Sequence, residues 1–419
     1  MRVSGMLAVM VGAVLTAGTG IGTAAGTAAM GAVGAPAAPA PPAAVADPTI
    51  VVASNGDDAG PGTLQQPLRT VQRGVDRARP GDVIAVRAGT YVLDGDNITI
   101  TTSGEPGRPI TLGAYRDERV VIDGERLPAG HTPVGGSIPR AERGAIHQEA
   151  SYWRVSGLEI VNGPYGYYCD GCNHNVFSGL VTHDNYESGF QLQGGSGDNL
   201  ILNLDSYANR DPRKNGESAD GLAIKEGSGT GNTVRGARLW NNVDDGFDAW
   251  KFTSPLVIED TVAYGNGYDR WNFPDFAGDG NGFKLGGGTP APAAAHTVRN
   301  SVAYGNAAHG ITDNGNPGAL VISRNTTFRN EGTGFDADTS GSAAVFTGNL
   351  SVLDRKAVSL GGGAAATGNS WNLGGTWNGA SVLSTDPASL TGPRAADGAL
   401  PSSRSFLVPR DGTAVGARL

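Results

Sequence analysis

The feature that most constrains the fold is a repeat of short apolar runs, each followed by a turn that contains asparagine. The aligned positions are Asn162, Asn185, Asn209, Asn242, Asn266, Asn306 and Asn330. Their spacings are 23, 24, 33, 24, 40 and 24 residues, which gives a base period of about 24 with two insertions. A period of this length predicts a solenoid, whose coils bury a shared apolar column only when they are stacked.

The composition favours β-structure in these coils. Glycine accounts for 66 of the 419 residues and charged residues for 17%, which is typical of a chain with many turns. Short Val- and Ile-rich runs bounded by turn residues favour a parallel β-helix over leucine-rich repeats. Asparagines at equivalent turns can stack and bond the backbone through their side-chain amides, so we interpret most of them as structural.

Apolar residues ahead of the repeats have helical spacing. Leu68, Val71, Val75 and Ala78 predict a short amphipathic helix over residues 68–79. Such a helix suits a cap on the open end of the stack, so we predict an all-β, single-stranded parallel β-helix with a short N-terminal capping helix. One domain is predicted over residues 47–419, with the cap and first coils at 47–125, the repeat coils with the site at 150–350, and C-terminal coils with a covering segment at 350–419.

Residues 1–46 read as an export signal followed by an Ala/Pro-rich linker. Arg2 precedes an apolar run over residues 6–17, which is shorter than the ~20 residues that a membrane span needs. Ala44, Val45 and Ala46 resemble a cleavage site, and cleavage nearer Ala25 is an open alternative. We therefore predict a secreted, extracellular protein.

The formal charge of -9 argues against nucleic acid or an anionic membrane as the main partner. An anionic polymer remains a suitable ligand if a bound cation and a few lysines or arginines hold it. We predict a monomer. The two cysteines, Cys169 and Cys172, are interpreted as a local disulfide or as two buried thiols, because a structural zinc site wants four ligands.

Four carboxylates are predicted to lie on neighbouring coils. They are Asp220, Asp244, Asp245 and Asp248. Hard oxygen ligands in this number suit Ca²⁺, which takes ~6–8 oxygens in irregular geometry. Strict strand alternation would put Asp245 on the opposite face from Asp244 and Asp248, so convergence needs a bend, for which Gly246 is a candidate. Each aspartate taken alone has the character of an ordinary solvated turn residue.

Lys284 lies in a glycine-rich segment one repeat beyond the carboxylates. A lysine that acts as a general base must be neutral near the working pH, and burial or a nearby cation can lower its pKa from ~10.4. Lys225 and Lys251 are competing candidates for a base, or they bind carboxylates of the substrate.

Three motifs in this order and spacing resemble the pectate lyases of polysaccharide lyase family nine. They are Ala-Asp-Gly-Leu-Ala-Ile-Lys (219–225), Asn-Asn-Val-Asp-Asp-Gly-Phe-Asp-Ala-Trp-Lys (241–251) and Gly-Asn-Gly-Phe-Lys-Leu-Gly (280–286), together with residues 185–195 and 199–209. The resemblance is close over residues 178–315 and looser over the rest of the mature chain. It implies a right-handed parallel β-helix that cleaves polygalacturonate by calcium-dependent β-elimination.

The resemblance also implies residue roles. By motif, the four aspartates match the calcium ligands of the family and Lys284 matches its catalytic lysine. Candidates for binding flanking substrate carboxylates are Lys225, Lys251, Arg210, Arg213 and Arg270. Three alternatives stay open: a lyase for another uronate polymer such as alginate or rhamnogalacturonan, a β-helix glycoside hydrolase that uses the aspartates as acid and base, and a non-catalytic polysaccharide-binding β-helix.

Overall fold

The structure is a computed structural model that describes residue 45 and residues 47–339, 341–402 and 404–419. Apart from Val45, the predicted signal segment and linker at residues 1–46 lie outside the described residues. None of the helices in the described part of the chain is long and apolar enough to cross a membrane.

The chain winds through three parallel sheets, and each complete coil contributes one strand to each sheet. Sheet I has 12 described strands: Ile50–Val52, Val83–Val86, Ile110–Ala114, Trp153–Ser156, Val176–Ser178, Leu200–Leu202, Thr233–Arg235, Val257–Glu259, Thr297–Arg299, Val321–Ser323, Val345–Thr347 and Ala365–Thr367. Sheet II has 10: Ile98–Ile100, Ile146–Gln148, Tyr167–Asp170, Phe190–Gly195, Leu222–Ser228, Phe247–Asp248, Phe283–Lys284, Ile311–Thr312, Thr333–Ala337 and Lys356–Leu360. Sheet III has 10: Gly89–Asp94, Val120–Arg126, Leu158–Val161, Val181–His183, Asp205–Tyr207, Arg238–Trp240, Val262–Tyr264, Val302–Tyr304, Thr326–Phe328 and Leu350–Val352. The predicted parallel β-helix is confirmed.

The predicted capping helix is present but shorter than expected, at Val71–Arg77. Leu68 cannot belong to it, because its backbone bridges to Val52 in the first strand. The Thr70 side chain caps the helix by accepting from the Arg73 backbone N–H, and Ala78 is already extended. The other short helices of the described residues are Pro128–His131, Arg140–Glu142, Pro212–Lys214, Ser370–Asn372, Gly379–Ser381 and Ala388–Thr391.

Strand alternation in sheet II separates an apolar inner row from a polar outer row. Phe190, Leu222, Phe247 and Phe283 align from coil to coil and are fully buried. The residue that follows each of them points the opposite way, toward the outer face. The packing of this apolar inner row therefore fixes the positions of the outer-row side chains.

The predicted asparagine ladder is present in the turns between sheet III and sheet II. Each side-chain amide donates to the next asparagine oxygen, at 2.8–3.0 Å from Asn185 to Asn330, and Asp354 accepts the last bond. Asn162 does not belong to the ladder. Gly163 occupies the equivalent position, since its backbone N–H donates to Asn185, and Asn162 itself has a positive φ of 56°.

Two further ladders were not predicted. One joins Asn175, Asn199 and Asn232, and it precedes strands of sheet I. The other joins Ser301, Asn325, Asn349 and Asn369 after sheet I strands. These buried amides satisfy backbone groups that the turns would otherwise leave without partners.

The cysteines form a local disulfide between Cys169 and Cys172, and both are fully buried. Of the two alternatives left open by the sequence, the structure therefore shows the disulfide.

A ladder residue is expected to be a strong determinant of stability. Asn266 is fully buried, donates to Leu239 and Asn306, and accepts from Asn242. We expect Asn266→Ala to lower the free energy of unfolding by about 2–3 kcal/mol, because it leaves buried polar groups unpaired. Urea unfolding measures this change, with the exposed Gln65→Ala as control. Equal unfolding midpoints for the two variants would contradict the role of the ladder.

Candidate active site

A four-residue unit recurs at the entry to sheet II. Each unit has a variable residue, a glycine, an apolar inner residue and an outer residue, as in Asp220 to Ala223, Asp245 to Asp248 and Asn281 to Lys284. The units stack in register: the Gly221 backbone N–H donates to Asp245 and the Gly246 N–H donates to Asn281. Two columns of side chains, one before the glycine and one at the outer position, therefore define the site.

Glycine is required in these units because the ladder asparagines approach closely. A Cβ at Gly221 would lie 2.7 Å from the Asn242 side-chain nitrogen, and one at Gly246 would lie 2.9 Å from the Asn266 side-chain nitrogen. Both distances are shorter than ordinary contacts. The close approach holds the turn residues before each glycine in a fixed position above the ladder.

Three of the four predicted carboxylates form a tight buried cluster. Asp220, Asp244 and Asp245 each offer an oxygen within 4.8 Å of the others, and each side chain is at most 1% exposed. Asp244 and Asp245 lie in the turn before the strand Phe247–Asp248, so strand alternation does not apply to them. The turn brings them together, where the sequence had suggested a bend at Gly246.

Asp248 is at the edge of this cluster and is not a member of the three-oxygen group. It occupies the outer row of sheet II, directly beside Lys284. Its Oδ2 atom lies 3.2 Å from Lys225 Nζ, and its Oδ1 atom accepts from the Trp250 backbone N–H at 2.9 Å. Lys225 also donates to Asp220 Oδ2 at 2.7 Å, so it joins Asp248 to the cluster.

The electrostatics of the cluster fit a bound cation. Burial and the neighbouring carboxylates raise the pKa of Asp220 to about 7 and that of Asp245 to about 6, against the counteracting lysines. Asp220 Oδ1 is buried and accepts no hydrogen bond, whereas Asp245 Oδ2 faces the ammonium of Lys284 at 3.0 Å. Buried anionic oxygens without donors are unfavourable, and an all-oxygen donor set is the kind that hard divalent cations such as Ca²⁺ prefer.

Lys284 stands on the other side of the same cluster. It is 7% exposed, and its Nζ atom lies 3.0 Å from Asp245 Oδ2 and 2.6 Å from Asp279 Oδ2. Burial acts to lower its pKa, but the surrounding carboxylates, led by Asp245 and Asp248, outweigh burial and raise it. Without a cation, the structure therefore favours the charged form of Lys284.

A cavity of about 490 Å³ opens over these side chains. The cavity lies over the outer row of sheet II, and its residues include Tyr165, Gln191, Trp250 and Asn314 in addition to the charged ones. The charged residues at the cavity are Arg143, Glu187, Arg213, Lys214, Glu217, Lys225, Glu226, Asp244, Asp248, Asp279 and Lys284.

The predicted substrate-binding cations have different surroundings. Lys225 and Arg213 line the cavity, but both are paired, Lys225 with Asp220 and Arg213 with the buried Glu187. Arg210 lies over the Tyr186 ring, with its guanidinium carbon 4.3 Å from the ring centroid. Lys251 Nζ lies 3.9 Å from the Trp250 ring centroid.

Arg270 holds a turn. Its Nη2 atom donates to Asn241 and to the Gly265 carbonyl oxygen. Arg210, Lys251 and Arg270 are not among the cavity-lining residues.

Three polar residues of the site were missed by sequence reasoning. Asn281 donates to Asp245 Oδ1 at 2.8 Å, and Ser188 donates to Asp220 Oδ2 at 3.1 Å. Both occupy the column before the glycine, so the recurring unit was a signal that pointed to them. Asp279, which contacts Lys284, lies in an inserted loop that carries no such signal.

The fold and site together define a parallel β-helix protein with a cluster of buried carboxylates at an open cavity. A family model described as Pel9A-like, right handed beta helix region, matches residues 50–351. Pectate lyase PEL9 of Emericella nidulans is 46% identical over 388 residues, covering 88% of this chain and 94% of that protein. Pectate lyase L of Dickeya dadantii is 34% identical, covering 85% and 82% of the two chains. The chain belongs to the Pel9A-like family of right-handed β-helices.

Solved structures agree with this assignment. The crystal structure of pectate lyase Pel9A matches with a TM-score of 0.73 at 32% identity, covering 86% of this chain and 88% of that one. A rhamnogalacturonan lyase matches with a TM-score of 0.76 at 26% identity, covering 88% and 99%.

Proposed function

We propose that this protein is a calcium-dependent pectate lyase that cleaves polygalacturonate by β-elimination. The observation that carries the proposal is the juxtaposition of Lys284 with the buried cluster of Asp220, Asp244 and Asp245 in one open cavity. Two relatives that this chain matches over most of their length are named pectate lyases, which supports polygalacturonate as the substrate.

Lys284 is proposed as the general base. It removes the proton from C5 of a galacturonate, the electrons form a double bond between C4 and C5, and the glycosidic oxygen leaves from C4 and takes a proton from water. Lys284 suits this role because its Nζ atom is at the cavity and is held by Asp245 and Asp279. Lys225 is less suitable, because both of its carboxylate partners, Asp220 and Asp248, are buried, whereas Lys284 has one exposed partner, the loop residue Asp279.

Asp220, Asp244, Asp245 and Asp248 are proposed to hold the metal. The first three already converge, and Asp248 lies beside them through Lys225. When bound, a calcium ion supplies positive charge that offsets the carboxylates around Lys284 and that acidifies the C5 proton of the uronate. Asn281 and Ser188 keep the carboxylates oriented by donating hydrogen bonds to them.

The structural match to a rhamnogalacturonan lyase makes that polymer the second candidate substrate. Mass spectrometry of products from separate incubations with polygalacturonate and rhamnogalacturonan distinguishes the possibilities. We expect unsaturated fragments from polygalacturonate, each lighter by one water than a hydrolysis product. Unsaturated fragments from rhamnogalacturonan alone would assign the other substrate, and saturated fragments would identify a hydrolase.

We also propose that the protein is exported and acts as a monomeric domain over residues 47–419. The support is the sequence pattern of residues 1–46 and the extracellular location of a polysaccharide substrate. N-terminal sequencing of protein from a culture supernatant gives the cleavage position. Full-length protein retained in the cells would contradict export.

A further inference from the structure

Arg143 is an unpaired cation at the cavity. It follows the short helix Arg140–Glu142, and its Nη1 atom donates to Tyr168 Oη at 3.2 Å and to Gln193 Oε1 at 3.4 Å. Among the residues that the structure describes, no carboxylate pairs with Arg143 within 4.0 Å. Its Nε atom is buried and has no acceptor.

The neighbouring cations differ from Arg143 because each of them pairs with a carboxylate. Arg140 pairs with Asp170, Arg213 with Glu187, and Lys225 with Asp220. A guanidinium is always charged and presents donors that fit a carboxylate in a planar, two-point contact. Arg143 therefore has both the charge and the free donors that an anionic ligand in the cavity would use.

The position of Arg143 relative to the carboxylate cluster follows from the register of the strands. Its contact Tyr168 aligns with Gln191, then Ala223, then Asp248 along the outer row of sheet II. Three steps at ~4.8 Å per strand place Tyr168 ~14 Å from Asp248 along the axis of the β-helix. A sugar that contacts Arg143 is therefore not the one at the metal but one further along the same polymer.

We propose that Arg143 forms a distal subsite that binds a uronate carboxylate on the N-terminal side of the carboxylate cluster. This inference rests on the proposed function, because it takes the polyuronate as the occupant of the cavity. It makes Arg143 a residue that binds and orients substrate, separate from the groups that act on the scissile bond.

The test compares steady-state kinetics of wild type, Arg143→Gln and Lys356→Gln on polygalacturonate. Lys356 is a matched control, because it is an exposed cation on sheet II that donates to Ser359, three strands beyond Lys284 on the opposite side. We expect Arg143→Gln to raise KM by about ten-fold or more, the effect of losing one charge-assisted contact, with kcat within about two-fold. Thermal unfolding checks that each variant is folded.

A second readout separates binding from packing. The cation also lies near the Tyr168 ring, 5.6 Å from its centroid, so a purely structural role is the competing explanation. A structural defect acts equally on every substrate. Loss of a carboxylate contact predicts instead that the KM penalty of Arg143→Gln shrinks as the methyl-ester content of the polymer rises.

The outcomes are distinguishable from failure of the proposed function. If wild type cleaves polygalacturonate and Arg143→Gln has an unchanged KM, or shares its penalty with Lys356→Gln, the subsite is refuted while the function stands. If wild type does not cleave the polymer, the proposed function fails. Calorimetric titration with a galacturonate hexamer then tests Arg143 directly, and equal affinities for wild type and Arg143→Gln would overturn the inference.

Discussion

Replacement of Lys284 by alanine is expected to lower kcat on polygalacturonate by about 10²–10⁴-fold, the range that a general base contributes. The substitution removes the group that accepts the C5 proton but leaves Asp220 and Asp244 in place. Calcium binding, measured by calorimetry, should therefore persist in the variant. This combination of lost turnover and retained metal separates a base from a structural residue.

The controls for this prediction are two other lysines. Lys356→Ala removes an exposed lysine of the same sheet and should leave kcat unchanged. Lys225→Ala removes the other lysine at the cluster and leaves Asp220 and Asp248 without their cation. It should therefore change metal affinity more than it changes the proton transfer. If Lys284→Ala keeps near-normal kcat while Lys225→Ala abolishes it at saturating calcium, the base has been assigned to the wrong lysine.

Neutralising the carboxylate cluster is expected to have the second large effect. Asp220→Asn together with Asp245→Asn keeps the shape of both side chains and removes two of the buried charges that fit a cation. We expect calcium affinity to fall by at least about 100-fold, more than the loss of a group outside the first coordination shell produces. Activity should be recovered only in part at high calcium concentration.

The unfolding temperature tests the same prediction without an activity assay. A ligand that binds only the folded state raises the unfolding temperature, so calcium should raise that of wild type and not that of the double variant. Asp117→Asn, at an exposed position, is the control. An equal calcium-induced rise in wild type and double variant would place the metal elsewhere.

Much of the fold was predictable because its main signal is periodic. The 24-residue spacing of Asn185, Asn209 and their successors requires stacked coils, and the stacked amides are what the structure shows. The register of the first coil was not predictable, because Asn162 lies one residue from the ladder position that Gly163 fills. The start of the capping helix was also misjudged, since Leu68 has helical spacing but pairs with Val52.

The candidate site was predictable in part: Lys284 comes together with the predicted aspartates, whereas Arg210, Lys251 and Arg270 do not line the cavity. Asp220 and Asp245 precede glycines that stack in adjacent coils. Their place in one column therefore follows from the repeat, although the distances between their side chains do not. The pairing of Lys225 with Asp220 and of Lys284 with Asp279 joins residues five positions apart, and it depends on side-chain positions that this spacing alone does not fix. The free guanidinium of Arg143 is likewise a property of its packing against Tyr168, which no local pattern encodes.

Calcium-dependent β-elimination is tested most directly by the ultraviolet absorbance of the unsaturated uronide released from polygalacturonate, with calcium and with a chelator. We expect absorbance to rise with calcium, to stop rising when the chelator is added, and to rise again when calcium is restored. Reducing ends that appear without this absorbance, or absorbance that continues unchanged in the chelator, would contradict calcium-dependent β-elimination.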